Sequence, residues 1–171
     1  MKLFGTDGIR GKVGESPITP SDMKKIAYAI AKTMFKNSTG SVLISNDGRA
    51  SAREIEYALH HGIIEQGSRT HSIGLNSTPA LSHSLHLAAS QSGDVVVGIQ
   101  ITASHNPYQD NGIKVFNDNG SKITEQQERE IENIFNHPDR ELTIEQEIIK
   151  ESIADNDAGM NENIDYNSDV R

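Results

Sequence analysis

The sequence predicts an α/β fold: a three-layer α/β/α sandwich around a mixed, mostly parallel sheet of about four strands. Three observations carry that expectation. Short β-branched runs alternate with helical periodicities along residues 1–138. The helical segments open at recognisable caps and stop at glycine or proline. The polar stretch 103–111 between two apolar runs is too short for a helical crossover, so the strands flanking it are expected to be antiparallel.

The first helix opens at Thr19-Pro20-Ser21-Asp22, with a hydroxyl cap, a proline at the first helical position and an acid at the third. Met23, Ile26, Ala27, Ile30, Ala31 and Met34 then recur at helical spacing, and residues 37–40 end the run. Ser41-Val42-Leu43-Ile44-Ser45 reads as a short buried strand. Ser51 and Glu54 are expected to form a capping box before Ile55, Leu59 and Ile63, with Gly67 as the stop. A strand near 70–75 follows, then a helix from Thr78-Pro79 bearing Leu81, Leu85 and Ala88. Residues 94–102, with Val95, Val96, Val97, Ile99 and Ile101, are the most strand-like run. They lead into the 103–111 loop, a returning strand at 113–116 and a turn at Asn119-Gly120. Thr124 with Gln127 opens a last helix carrying Ile131, Ile134 and Phe135, and Pro138 closes it.

Charge divides the chain in two. The net charge is −8, of which −7 lies in residues 139–171 and −1 in residues 1–138. Residues 1–138 are therefore expected to be one domain, and 139–171 an acidic linker or tail leading to further domains downstream. The acidic balance argues against a nucleic-acid backbone as the main partner. With no cysteine there is neither a disulfide framework nor a thiolate zinc site. No apolar run approaches the roughly 18 residues that span a bilayer, so no membrane partner is expected. Met1-Lys2-Leu3-Phe4-Gly5 lacks an apolar signal core, and the expected location is cytoplasmic.

The chemistry is expected at Thr102-Ala103-Ser104-His105-Asn106-Pro107, at the C-terminal end of the strongest strand, the edge where open α/β sheets bind ligands. Small and polar neighbours leave backbone N–H groups there to face an anion. Taken alone, this is an ordinary polar loop. It is not a hydrolase elbow, because G-x-S-x-G is absent. Asp110-Asn111-Gly112-Ile113-Lys114 puts a lysine on the returning strand. Phe4-Gly5-Thr6-Asp7-Gly8-Ile9-Arg10-Gly11 reads as a tight hairpin with Asp7-Gly8 at its turn and an arginine behind it. His83 and His86 have i, i+3 spacing but no third ligand nearby, so no metal is expected there.

In order, F-G-T-D-G-I-R-G, T-P-A at residues 78–80, T-A-S-H-N-P and D-N-G-I-K resemble the α-D-phosphohexomutase family, over about residues 3–135. Ser45-Asn46-Asp47-Gly48-Arg49 keeps the aspartate and arginine of the family's G-x-D-T-R but not two flanking positions. The resemblance covers the first of the family's four domains. It lacks the downstream aspartate loop for metal, the sugar-specificity loop and the distal phosphate loop. It implies intramolecular phosphoryl transfer on a hexose or hexosamine phosphate through a phosphoserine and a bisphosphate intermediate. The pattern is nearest to the branch interconverting glucosamine 6-phosphate and glucosamine 1-phosphate. The mannose and glucose phosphate branches, and a non-catalytic phosphosugar-binding module, are the alternatives.

By the same resemblance Ser104 is the phosphoserine, and through its phosphate it is a ligand of one Mg²⁺ whose other ligands come from a missing domain. Hexose 1,6-bisphosphate is the implied activator. Arg10 and Lys114 balance the phosphate charge. Lys114 also helps proton transfer, since a nearby Mg²⁺ and guanidinium would disfavour its protonated form. His105 is a second candidate for positioning or proton transfer. Thr6, Arg49 and Asn106 are the expected phosphate- or substrate-binding residues. The chain by itself is expected to be inactive.

Overall fold

The computed structural model describes residues 1–36, 38–92 and 96–138. The expected acidic segment 139–171 lies outside the described residues. In chain order the elements are β1 (Ile9–Lys12), α1 (Pro20–Phe35), β2 (Ser41–Asn46), α2 (Ala52–Glu65) and β3 (Arg69–Leu75). They continue with α3 (Thr78–Ser92), β4 (Val96–Ile101), β5 (Asp110–Phe116) and α4 (Glu125–Asn136). None of these helices is long and apolar enough to cross a membrane.

The strands form one sheet in the order β1-β5-β4-β2-β3. β2 runs parallel to both β3 and β4, as helical crossovers require. β5 runs antiparallel to β4, the outcome expected from the short loop between them. The sheet has five strands rather than four. The addition is β1, which pairs antiparallel with β5 through Ile9–Ile113 and Arg10–Gly112. That second antiparallel pair makes the sheet evenly mixed rather than mostly parallel. β1 has no apolar alternation of its own, and a glycine opposite makes its pairing possible. A Cβ on Gly112 would lie 2.0 Å from the Ile9 carbonyl oxygen.

Strand alternation sends the two faces of the sheet to different layers. Ile44, Ile99 and Ile113 face α1, α2 and α4 in the main core, with Ile26, Ile30 and Ile131 packed against them. On the other face, Leu81 and Leu85 of α3 meet Val96 and Phe116. The three layers are those the sequence predicts.

Two of the helix caps behave as the sequence predicts. Thr19 Oγ1 accepts from the Asp22 N–H at 3.1 Å. Thr124 and Gln127 cap reciprocally, at 2.8 Å for the Thr124 N–H and 3.2 Å for the Gln127 N–H. Ser51 does not cap. Its backbone is helical and its side chain makes no cap bond. Instead its hydroxyl accepts from Asn111 Nδ2 at 2.9 Å, tying the start of α2 to the start of β5.

α1 and α2 cross closely because α2 carries Gly62 at the contact. A Cβ there would lie 2.1 Å from the Lys24 carbonyl oxygen and 2.8 Å from Ala27 Cβ. Backbone cannot yield as a side-chain tip can, so Gly62→Ala is expected to destabilise the domain by about 1–3 kcal/mol despite alanine's better helix propensity. Urea unfolding midpoints of the two proteins measure this. An unchanged or raised midpoint would show that the helices slide apart freely.

Candidate active site

The parallel pairing of β2 with β4 ends both strands side by side, with Asn46 opposite Ile101. Two turns therefore meet at the C-terminal edge of the sheet: residues 47–49 after β2 and residues 102–109 after β4. The first is shaped by one local bond and one to the neighbouring strand. The Gly48 N–H donates to Asn46 Oδ1 at 3.0 Å and the Asp47 N–H to the Ile101 carbonyl at 3.2 Å.

Thr102 joins the turns. Its hydroxyl donates to Asp47 Oδ2 at 2.7 Å and accepts the Ser104 N–H at 2.9 Å. Farther along, the Asn106 N–H donates to the Ala103 carbonyl, the Asp110 N–H to the Pro107 carbonyl, and Asn106 Nδ2 to Asp110 Oδ2. Ser104 itself sits at φ 56°, in the left-handed region. For a residue with a Cβ that conformation costs about 1–2 kcal/mol. Ser104 is half-buried and His105 exposed.

Arg49 supplies the compensation. Its Nη2 donates to the carbonyls of Ser104 and Asn106 at 2.9 and 3.1 Å. Its Nη1 donates to the carbonyls of Pro107 and Asp110 at 2.8 and 2.9 Å. Its Nε donates to Asp47 Oδ2 at 3.1 Å. These are the five donors a guanidinium has. Its side chain is only 14 % exposed. Bonds from a charged donor contribute about 1.5–3 kcal/mol each, so the four carbonyl contacts outweigh the strain at Ser104. No Arg49 donor is left for a phosphate in this arrangement. Sequence reasoning singled out Arg49 but not the carbonyls it binds. Nor did it give Asp47 a role, although the Asp-x-Arg spacing that lets Asp47 orient the guanidinium was visible.

A second charged cluster lies on the flank formed by β1 and β5. The Gly5 N–H donates to the Gly8 carbonyl at 2.9 Å, and the tight turn so made presents Asp7. Gly8 stands at φ 91°, where an added Cβ would come within 2.3 Å of the Ile113 carbonyl oxygen. The Asp7 carboxylate meets Arg10 at 2.6 Å, Lys114 at 2.8 Å and Lys122 at 2.7 Å. Hydrogen bonds from Lys114 and then Lys122 hold its carboxyl at a pKa of about 2, against a smaller opposing effect of burial. Lys122 also donates to the Thr6 carbonyl at 3.3 Å. Opposite residues share a face, so Arg10, Gly112 and Lys114 lie on one side of the sheet, and Thr102, opposite Gly112, lies on that side too. Arg10 Nε is buried there with no hydrogen-bond partner.

The expected residues thus divide into two groups. Ser104, His105, Asn106 and Arg49 belong to the loop, while Arg10, Lys114 and the Thr6 backbone belong to the Asp7 cluster. Asp7 was visible in sequence only as a turn residue, and Lys122 carried no motif. Among the described residues no three His, Asp or Glu side chains gather at the distance of one metal ion.

Residues 1–142 match the family described as phosphoglucomutase/phosphomannomutase, alpha/beta/alpha domain I. The phosphoglucosamine mutase of Psychromonas ingrahamii is 45 % identical over 131 residues, which is 77 % of this chain and 28 % of that protein. That of Marinomonas sp. is 43 % identical over 137 residues, 80 % of this chain and 29 % of the relative. Among solved structures, a putative phosphomannomutase from Thermus thermophilus aligns with a TM-score of 0.68 at 27 % identity, covering 77 % of this chain and 29 % of that one. The open form of the phosphoglucomutase pp63/parafusin from Paramecium aligns with a TM-score of 0.65 at 28 % identity, covering 74 % and 24 %. The chain spans less than a third of the length of each.

Replacing the guanidinium by an ammonium removes the planar fork while keeping the charge. Arg49→Lys is therefore expected to speed hydrogen exchange at the amides of Ser104, Asn106 and Asp110 by about tenfold or more, with β2 and β4 little changed. Exchange measured by NMR checks this, and undiminished protection at those three amides would contradict the clamp.

Proposed function

The chain belongs to the phosphoglucomutase/phosphomannomutase family as its α/β/α domain I, and on that premise we propose that it is the phosphoserine-bearing part of a phosphohexomutase. Ser104 is the residue that carries the phosphoryl group. The observation that carries the reading is the Ser104 loop itself: a strained serine on a loop pinned through its own carbonyls, two residues past Thr102, which shares its sheet face with Arg10 and Lys114. Relatives named phosphoglucosamine mutase, at 43–45 % identity, support glucosamine 6-phosphate and glucosamine 1-phosphate as the pair interconverted.

In this reading a sugar hydroxyl attacks phosphorus as the bond to Ser104 Oγ breaks. The resulting bisphosphate turns over, and Ser104 Oγ takes back a phosphoryl group from the other position. Such transfer depends on position and charge more than on covalent chemistry. The loop supplies position. Arg10, with an unpartnered Nε, and Lys114 supply positive charge on the side of the sheet that bears Thr102. Lys114 is the proposed proton carrier at the seryl oxygen, with His105 as a second group in reach of solvent. Asn106 braces the loop through Asp110, and Thr6 meets Lys122 through its carbonyl. Arg49 acts as a clamp on the loop rather than as a phosphate ligand.

Mg²⁺ belongs to the proposal as the ion that offsets the seryl phosphate. The described residues do not fit it by themselves. Asp47 accepts from Thr102 and Arg49, Asp110 from Asn106, and Asp7 from three cations. The ion's remaining ligands would come from outside the described residues. Residues 139–171 are proposed as the acidic lead into those further domains, and the cytoplasm as the location.

Treatment with hexose 1,6-bisphosphate and Mg²⁺, followed by peptide mass spectrometry, tests the assignment. Phosphate is expected on Ser104, and phosphate only on other serines would contradict it. In a coupled assay with glucosamine 6-phosphate the chain alone is expected to show no steady turnover. Orientation of the acceptor, worth about 7–11 kcal/mol, needs loops that these residues do not supply. Turnover at a full mutase's rate would place the whole site within this chain.

A further inference from the structure

Three cations and one carboxylate make the Asp7 cluster an unbalanced site of net charge +2. Asp7 bonds Lys114 and Arg10 through the same oxygen, Oδ2, and Lys122 through Oδ1. Its side chain is 39 % exposed, whereas that of Lys114 is 14 % exposed. The carboxylate is therefore the more solvated member of its pair with Lys114. Arg10 is not satisfied by it, since Nε remains buried without an acceptor. The surrounding charges include Arg10 from β1, Lys114 from β5, Lys122 from the turn before α4, and Glu128 of α4, which feels Lys122 together with Glu125, Glu132 and Lys2.

We propose that Asp7 is an internal counter-ion that occupies the Arg10–Lys114–Lys122 cluster when no phosphate is present and competes with phosphate for the same N–H donors. The inference rests on the reading of Arg10 and Lys114 as phosphate-facing groups, and extends it to a residue set by the turn at Gly5–Gly8. One carboxylate carries less charge than a phosphate, so it yields to a dianion but lowers the net affinity for it. The exchange keeps the cations gathered in the resting protein, where three like charges would otherwise repel. Because the Asp7 carboxyl titrates near 2, it is ionised throughout the range in which phosphate is a dianion. Asp7 therefore contributes the same charge to the competition throughout that range, and the pH dependence of binding follows the second ionisation of the phosphate.

The test uses inorganic phosphate and the whole chain, followed by NMR at low ionic strength. Asp7→Asn removes the competing charge while keeping a residue suited to a turn. It is expected to bind phosphate about tenfold more tightly than the unaltered protein, the scale of one unit charge near a protein surface. Glu15→Gln removes the same charge at a separate pair with Lys12 and is expected to shift the affinity by less than about twofold. Equal or weaker binding by Asp7→Asn, an equal gain from Glu15→Gln, or no phosphate binding by either protein would each overturn the proposal. Should the Asp7→Asn protein fail to fold, the unaltered chain decides: its Asp7 carboxyl ¹³C signal is expected to move with phosphate as its partners leave. An unmoved signal at saturating phosphate overturns it. The mutase reading stands or falls separately, on where bisphosphate places its phosphoryl group.

Discussion

One guanidinium shapes the site. The five N–H donors of Arg49 engage four loop carbonyls and one carboxylate, and the loop between β4 and β5 takes its course from them. Carbonyls of residues 104, 106, 107 and 110 do not converge on one point in an ordinary connection. They converge here because a flat, delocalised cation is placed at their centre. Ser104 can then rest in the left-handed region, an arrangement unstable in isolation. The parallel register of β2 and β4 is the precondition, since it delivers the 47–49 turn to the loop.

The other flank follows from the antiparallel half of the sheet. β5 turns back after the loop and returns Lys114 along it, and β1 adds Arg10 one strand farther out. α3 covers the same face where Leu81 and Leu85 meet Val96 and Phe116, toward the opposite end of β5. The loop end of that face is left to polar and charged groups. The domain thus carries two charged assemblies: a closed one around Arg49, with every donor engaged, and an open one around Asp7, with cations in excess. The closed one holds geometry, and the open one keeps an arginine donor without an acceptor.

Much of this was legible locally. The caps at Thr19 and Thr124 are short-range chemistry, and both form as their sequences predict. The antiparallel turn-back at 103–111 follows from chain length alone. The features without a local signature depend on distant partners. Ser51 has the sequence of a cap, but its hydroxyl serves Asn111, sixty residues away. β1 is a strand because β5 offers an edge and Gly112 makes room, and neither fact is written in residues 9–12. Arg49 binds backbone carbonyls, which any sequence possesses, so its partners leave no signature. Asp7 carried the motif of a turn, and only the fold shows that three cations meet there.

Arg49 imposes the backbone of Ser104, and the φ of Ser104 in solution is the readout of that constraint. Backbone chemical shifts and the three-bond HN–Hα coupling report that angle in the unaltered chain and in Arg49→Lys. A left-handed Ser104 is expected in the first protein, and a shift of its population toward ordinary negative φ in the second. A left-handed Ser104 of equal population in both would contradict it, and would assign the loop's shape to Thr102 and the strand ends instead.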